Sequence, residues 1–159
     1  MSAAQELYSI DTSALIDGLE RYYPTDSFPA LWDRVDELIA SGRFFFSEEV
    51  WEEIKVRDAV VRAWCESRKD SLIVATDGAV AQHVQSLLVN HPRLVMNMKG
   101  RNRADPFVIA VAQLRGGLVV TGEGGDGTQQ RPKIPFVCQQ LNVQCIRFLD
   151  VIRIEGWTF

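Results

Sequence analysis

The sequence has few of the residues that build zinc sites, disulfide frameworks or histidine-based active sites. It contains three cysteines and two histidines in 159 residues. Cys65, Cys138 and Cys145 show no CxxC spacing and form an odd set, which argues against a zinc site or a disulfide framework. The isolated His83 and His91 form neither a Ser/His/Asp nor an HExxH pattern. We expect the cysteines to be reduced thiols that act as small apolar residues.

Long apolar runs are also missing from the sequence. No run approaches the roughly 20 residues that cross a bilayer, and the run 44–46 has only the length of a strand. The first residues, 1–8, lack the basic and apolar regions of a secretory signal. We therefore expect a cytoplasmic protein without a membrane segment.

A basic excess, which is usual in nucleic-acid-binding proteins, is missing too. The formal net charge is −4 at pH 7, although an acidic metal site would itself add negative charge locally. The basic residues form three groups, for each of which a solvated surface is the simplest explanation. These groups are Lys99, Arg101 and Arg103; Arg62, Arg68 and Lys69; and Arg131 and Lys133. The distribution of charge therefore does not exclude nucleic acid as a ligand.

Strand-like apolar runs alternate with helical patterns along the chain. Strands are predicted at 7–10, 43–46, 72–75, 118–121 and 144–148, with a further extended piece at 94–96. Helices are predicted from residue 14, from residue 29, after Ser47, and over 58–69, 77–89, 107–114 and 134–141. This alternation indicates one α/β domain over residues 1–159, with a parallel sheet that is covered on both faces.

Four acidic residues are predicted to lie at one edge of the sheet, at or near the carboxyl ends of its strands. Asp11 follows the first strand, Glu53 lies on the helix after the second, Asp105 opens a helix, and Glu123 follows the strand at 118–121. Ligands of open α/β sheets bind outside the carboxyl ends of the strands. Carboxylates that converge there repel one another unless a cation is bound. Oxygen ligands without His or Cys suit Mg²⁺ or Mn²⁺, so the sequence predicts a divalent-metal site of the kind that cleaves phosphodiesters.

Each of these acids also has a simpler explanation. Asp11 and Asp105 both suit the N-cap of a helix, a role worth about 1 kcal/mol. Glu53 lies on a helix rich in glutamate, where Glu49 is one turn earlier on the same face. Glu123 alone is an ordinary polar loop residue. Their joint placement at strand ends is what favours a site.

Five stretches of the chain carry a resemblance to a known family. They are 8–16 (YSIDTSALI), 47–54 (SEEVWEEI), 104–112 (ADPFVIAVA), 119–123 (VVTGE) and 133–138 (KIPFVC). Together they resemble the PIN domain, specifically the bacterial branch once catalogued only as a domain of unknown function (DUF4411-like) and associated with toxin–antitoxin modules. The resemblance implies a three-layer α/β/α PIN-like domain with a central, mostly parallel sheet.

The resemblance also implies roles for the matching residues. Asp11 is the first metal ligand, Asp105 is the ligand that opens the fourth helix, and Glu53 is the acid in the family's V-x-x-E context. Thr121 matches a threonine that supports the site by hydrogen bonding. The family often has Asp two residues after that threonine, where this chain has Glu123.

Two of these assignments have alternatives. Glu49 could assist or replace Glu53, because the two glutamates share one face of the helix. Asp126 could reach the metal in place of Glu123, whose side chain is one methylene longer than the Asp of the family. The sequence leaves both pairs open.

The activity implied by the resemblance is that of an endoribonuclease, which hydrolyses RNA phosphodiesters with Mg²⁺ or Mn²⁺ and serves as the toxin of a type II toxin–antitoxin module. A cognate antitoxin is then the expected protein partner, and homodimers are common in the family. Lys99, Arg101 and Arg103 lead directly into Asp105. We expect these three to contact substrate phosphates.

Two other functions fit parts of the pattern. Asp-x-Ser after a first strand also suggests a phosphoaspartyl phosphotransferase or a receiver-like domain. Those need a lysine near a strand end and two acids close in sequence, whereas Lys99 lies in an arginine-rich loop. The acids could instead be capping residues of a non-catalytic PIN-fold module that binds protein or RNA, an alternative that the sequence leaves open.

Overall fold

The computed structural model describes residues 5–92, 104–124 and 133–159. Five strands in this part of the chain form one sheet, and every pairing between them is parallel. The strands are β1 (Tyr8–Ile10), β2 (Phe44–Ser47), β3 (Ile73–Val74), β4 (Leu118–Val120) and β5 (Cys145–Ile146). Their order is β3-β2-β1-β4-β5. The chain therefore winds outward from β1 to β3, returns, and winds outward again through β4 to β5.

Helices connect successive strands and cover the sheet. They are α1 (Thr12–Ile16), α2 (Pro29–Ala40), α3 (Glu48–Arg57), α4 (Ala59–Glu66), α5 (Lys69–Leu72), α6 (Gly78–Asn90), α7 (Asp105–Arg115), α8 (Ile134–Gln140) and α9 (Phe148–Glu155). A π-helical turn (Asp17–Tyr22) continues α1. Because parallel crossovers are right-handed, the reversal at β1 puts the helices before and after it on opposite faces. The result is a three-layer α/β/α fold, which confirms the predicted fold class.

Each face of the sheet is covered by helices with apolar inner sides. On one face α7 packs against β1, β2 and β4, and α6 packs on α7. The buried Ser9 Oγ of β1 donates to the carbonyl of Val108 in α7 at 2.8 Å. On the other face α2 packs against β2, and its Trp32 lies edge-on to Trp64 and tilted against Phe148. Since both faces are covered, all residues of β1, β2 and β4 are buried.

The register of the sheet aligns the carboxyl ends of its two central strands. Ile10 of β1 pairs with Val120 of β4. The backbone pairing continues one residue further, where the Asp11 amide donates to the Val120 carbonyl at 2.9 Å. Residues that follow β1 and β4 therefore begin side by side.

A buried ion pair joins the C-terminal helix to the residues at the start of β1 and β2, at the amino end of these strands. Glu155 in α9 accepts two hydrogen bonds from the Arg43 guanidinium, at 2.9 and 2.6 Å. It also accepts one from the Tyr8 hydroxyl at 2.5 Å. Both charged side chains are nearly buried, at 13% and 12% exposure. Burial, followed by this hydrogen bond, raises the pKa of Tyr8 above its usual value.

Two predicted elements differ from the structure. The strand predicted at 144–148 ends at Ile146, and Phe148 instead opens α9, because its ring packs against Trp32 and Tyr23. Asp150 assists this start by accepting from the Arg147 amide at 3.0 Å.

The helix predicted over 58–69 is divided into α4 and α5. Asp58 caps the first of them by accepting from the Val61 amide at 3.0 Å. The extended piece predicted at 94–96 lies outside the described residues. In the part of the chain that is described, no helix has the length and apolar character needed to cross a bilayer.

Candidate metal centre

Asp11 lies at the carboxyl end of β1 and is almost fully buried, at 4% exposure. Its Oδ2 accepts hydrogen bonds from Ser13 Oγ at 2.5 Å and from Thr121 Oγ1 at 3.0 Å. Within the described residues of α1 its side chain makes no capping hydrogen bond, so capping does not account for this acid. Burial raises the pKa of Asp11, and the two hydroxyl bonds oppose that rise.

The hydroxyls that hold Asp11 form a small network with the loop after β4. Ser13 Oγ accepts from the Gly122 amide at 2.8 Å and lies 3.2 Å from Thr121 Oγ1. Thr121 Oγ1 also accepts from the Glu123 amide at 3.1 Å. Thr121 therefore contacts both the Asp11 carboxylate and the backbone of Glu123. Ser13 is a further supporting residue, to which the sequence analysis gave no role in the metal site.

Asp105 is the first residue of α7, which approaches the sheet from its carboxyl edge. Its side chain is buried, at 5% exposure. Burial raises the pKa of Asp105 to about 10, with further contributions from the negative charges of Asp11, Glu123 and Glu53, in that order. These contributions place three other predicted acids within electrostatic range of Asp105.

Glu53 lies on α3, and its carboxylate turns toward Asp11. Its side chain is 17% exposed and forms an ion pair with Arg57, whose Nη1 lies 3.1 Å from Glu53 Oε1. Burial, followed by the negative charge of Asp11, raises the pKa of Glu53 to about 7. Of the glutamates on this helix, Glu53 is the one that adds its charge to Asp105.

Glu49 points to a different strand end. Its Oε1 accepts from the Thr76 hydroxyl at 2.5 Å, and the neighbouring Glu48 accepts from the Thr76 amide at 2.7 Å. Thr76 follows β3, one strand further from the centre than β2. Glu53 is therefore the better of the two candidates that the sequence left open.

Glu123 is the fourth acid and lies in the loop after β4. Its Oε2 accepts from the Ile134 amide at the start of α8, at 3.0 Å. Burial raises the pKa of Glu123, and the hydrogen bond from the Ile134 amide lowers it. The negative charge of Asp11 raises this pKa further, whereas the positive charge of Lys133 lowers it. The alternative ligand Asp126 lies outside the described residues.

The donor set of these acids fits a hard divalent cation. Asp11, Glu53 and Glu123 lie within electrostatic range of Asp105. The fully buried Thr12 hydroxyl next to Asp11 makes no close hydrogen bond among the described residues, yet it lies near enough to the Glu53 carboxylate to lower its pKa. Mg²⁺ and Mn²⁺ take oxygen ligands of this kind. In the same part of the chain, however, no three Asp, Glu, His or Cys side chains lie close enough together to form a finished cage. Carboxylates without a cation repel one another, which opposes their closer approach.

Basic side chains border the acidic cluster, though not those that the sequence singled out. Lys99, Arg101 and Arg103 lie outside the described residues. Arg57 pairs with Glu53 at one side. At the other side, Lys133 Nζ donates to the Gly124 carbonyl at 3.1 Å, and the Arg147 guanidinium donates to the Gly122 and Glu123 carbonyls at 3.4 and 3.3 Å.

Sequence signals for these flanking cations differ in strength. Arg57 follows Glu53 by four residues on one helix, a spacing that pairs opposite charges, so it could have been found. Arg147 comes from a distant strand end, and no local pattern connects it to the loop after β4.

The fold and the site together define a doubly wound α/β protein with a buried carboxylate cluster at the carboxyl edge of its parallel sheet. The chain belongs to the family described as "Domain of unknown function (DUF4411)", whose sequence profile matches residues 8–159. A comparison with curated proteins gave no match. Membership of this family assigns no activity, and the similarity to PIN nucleases stays a prediction.

Proposed function

We propose that this protein is a Mg²⁺- or Mn²⁺-dependent endoribonuclease of the PIN type. The observation that carries the proposal is the convergence of Asp11, Glu53, Asp105 and Glu123: burial, followed by the charges of the other three acids, raises the pKa of Asp105 to about 10. Burying unpaired carboxylates together costs stability, so their convergence needs a functional reason. A bound divalent cation supplies that reason.

Each acid has a distinct part in the proposed mechanism. Asp11 is the most firmly oriented ligand, because two hydroxyls fix its Oδ2. Asp105 and Glu123 approach from α7 and from the loop after β4, and Glu53 approaches from α3. Thr121 positions both Asp11 and the backbone that carries Glu123.

The reaction is the in-line hydrolysis of an RNA phosphodiester. A bound cation would supply Lewis-acid polarisation of the phosphate and a water of lowered pKa. The carboxylates orient that centre, and the surrounding basic residues compensate the charge of the RNA backbone. Lys99, Arg101 and Arg103 remain the predicted phosphate contacts on the segment that leads into α7.

The direct test is cleavage of a fluorescent single-stranded RNA by the purified protein, with Mg²⁺, with Mn²⁺ and with EDTA. Asp11→Asn and Asp105→Asn should each lower kcat by ~100-fold or more, since each removes a ligand. Glu52→Gln is the matched control, because Glu52 lies on the same helix but is 65% exposed and pairs with Lys55. Cleavage that persists in EDTA, or in both Asn variants, would refute the proposal.

The biological part of the proposal is that the ribonuclease acts in the cytoplasm as the toxin of a type II toxin–antitoxin module. Expression of the wild-type chain should then arrest growth, and Asp105→Ala should relieve the arrest. Circular dichroism must show that the variant is folded. Equal toxicity of both proteins would contradict a nuclease toxin.

A toxin of this kind needs a cognate antitoxin, and we place its contact at the acidic site. Exposed apolar side chains are found on both sides of the junction between α3 and α4, where Val56 is 88% and Val60 is 56% exposed. The proposed antitoxin inserts a basic side chain at the acidic site. Glu53→Gln should weaken such a complex, and unchanged affinity would count against this geometry.

A non-catalytic module that binds RNA or protein is the second candidate. It is favoured by the lack of a finished three-ligand cage within the described ranges. If the protein is such a binding module, the wild type and Asp105→Asn should bind RNA with equal affinity, and neither should hydrolyse it.

A further inference from the structure

Arg57 is a cation that pairs with the Glu53 carboxylate and lies within electrostatic range of two others. It is the last residue of α3, and its Nη1 lies 3.1 Å from Glu53 Oε1. Its positive charge also lowers the pKa of Asp11 and of Asp58, the cap of α4. In the absence of a metal ion, Arg57 therefore supplies part of the positive charge that the acidic cluster needs.

The Arg57–Glu53 ion pair is exposed enough for another cation to replace Arg57 at Glu53. The guanidinium is 42% exposed while the carboxylate is 17% exposed, so Arg57 lies on the solvent side of its partner. Pairs with this exposure and an i,i+4 spacing are weak. A divalent cation carries twice the charge of Arg57 and is smaller, and it competes for the same Glu53 oxygens.

A guanidinium released from Glu53 stays beside the cluster. Arg57 remains anchored at the C-terminal end of α3, and its five N–H donors have the fork geometry that matches phosphate oxygens. A phosphodiester drawn to a cation in the cluster would lie within reach of such donors.

We propose that Arg57 is an exchangeable cation of the site: it neutralises Glu53 in the metal-free protein and contacts the substrate phosphate after a divalent cation has displaced it. This inference rests on the proposed ribonuclease function. It assigns to Arg57 both a competition with the metal ion and a contact with RNA.

The first readout is the affinity for Mn²⁺ alone, measured by the electron paramagnetic resonance signal of the free ion. Arg57→Gln should bind Mn²⁺ about threefold or more tightly than the wild type, because the internal competitor is gone. Arg57→Lys keeps the charge and should stay near the wild type. Arg21→Gln is the matched control, since Arg21 forms an i,i+4 pair at 3.2 Å with Asp17, which is 13% exposed.

The second readout is the salt dependence of binding to a short single-stranded RNA, measured by fluorescence anisotropy. Ca²⁺ replaces Mn²⁺ here to slow hydrolysis while still occupying oxygen ligands. With Ca²⁺ present, Arg57→Gln should lower the slope of log K against log salt by about 0.7, the value for one phosphate contact on a single strand. In EDTA the salt slope of Arg57→Gln should hardly differ from that of the wild type, because Arg57 is then paired with Glu53.

The outcomes separate this inference from the proposed function. If the wild type binds Mn²⁺ and cleaves RNA but Arg57→Gln matches it in both readouts, Arg57 is only a surface ion pair and the inference is wrong. If the Arg57 effect on Mn²⁺ appears without any RNA cleavage, the ribonuclease proposal fails instead. Absence of Mn²⁺ binding by the wild type overturns both.

Discussion

Asp105 loses most of its hydration in the folded protein and faces three other carboxylates. Both effects oppose its ionisation, and they raise the pKa of its carboxyl group from 3.8 to about 10. At neutral pH the metal-free protein therefore keeps this group protonated. A divalent cation bound as proposed would reverse the balance, because it would bind the ionised form and release the proton.

This shift predicts an unusual pH dependence of stability. The unfolded chain ionises Asp105 near pH 4, while the folded chain keeps its proton until about pH 10. Between these values the folded state binds more protons, so in EDTA its stability should fall as the pH rises. The pKa of Glu53 is raised from 4.5 to about 7, so Glu53 should lower the stability further as the pH rises from 4.5 to about 7.

Asp105→Asn isolates this contribution. In EDTA at pH 8 the variant should be more stable than the wild type by at least about 1 kcal/mol, the equivalent of roughly one pKa unit. The measurement is urea denaturation at pH 5 and pH 8. At pH 5 the difference should shrink, and adding Mn²⁺ at pH 8 should reverse its sign. A variant that is less stable at pH 8 in EDTA would exclude the proposed protonation of Asp105.

The residue-scale details show where prediction from sequence stops. The positions of Asp11 at a strand end and of Asp105 at a helix start were accessible, because parallel strands end at one edge. The role of Ser13 was not, since its bond to the Gly122 amide joins residues 109 apart in sequence. Such a contact depends on the register of β1 and β4, which no local pattern specifies.

At the scale of elements, the loop after β4 leaves no space for a side chain at Gly122. A Cβ built on Gly122 would lie 3.0 Å from the Ser13 carbonyl and would collide with the Asp17 carboxylate. The loop therefore lies against α1 and the turn that follows it. Its position fixes Thr121 and Glu123 relative to Asp11.

Gly122→Ala should displace this loop. We expect it to weaken Mn²⁺ binding about 10-fold, in the range of changes that misorient a metal ligand, and to lower stability by about 1 kcal/mol. Calorimetric titration and urea denaturation measure the two effects. Gly78→Ala is the control, since a Cβ at Gly78 meets nothing within 4 Å. A Gly122→Ala protein with wild-type Mn²⁺ affinity would show that the loop does not position a ligand.

Helix α3 illustrates a choice that sequence could not make. Glu49 and Glu53 lie on one face of the helix, and although only Glu53 falls in the V-x-x-E context, the sequence left Glu49 as an alternative ligand. The structure separates them because Thr76, after β3, receives Glu49, whereas Glu53 reaches toward β1. The order of the strands decides this, and strand order was not fixed by the sequence.

For the whole molecule, the fold class could be predicted from the alternation of strands and helices. The C-terminal helix α9 could not be predicted in this way. Phe148 was assigned to the strand predicted at 144–148. Its ring lies instead between Trp32 and Tyr23, so tertiary aromatic packing outweighs the local preference.

Glu155 connects this helix to the start of β1 and β2, and its loss should affect global stability. Glu155→Gln leaves the nearly buried Arg43 guanidinium without its counter-charge. We expect a loss of about 3 kcal/mol, measured by urea denaturation. Glu37→Gln, in an ion pair whose side chains are 54% and 68% exposed, should change stability by less than about 0.5 kcal/mol. Equal effects of the two variants would show that the Glu155 contact contributes little.

The pairing of β1 with β4 also has a consequence for biosynthesis. Asp11 and Thr121 are 110 residues apart in sequence, yet they share a hydrogen bond, and Glu123 lies further still along the chain. A nascent chain on the ribosome therefore has one carboxylate of the cluster early and the last one late. Since domains fold as units during synthesis, the cluster is assembled only after β4 and the following loop have emerged. If the cluster cleaves RNA, the order of translation itself keeps that activity away from the message being read.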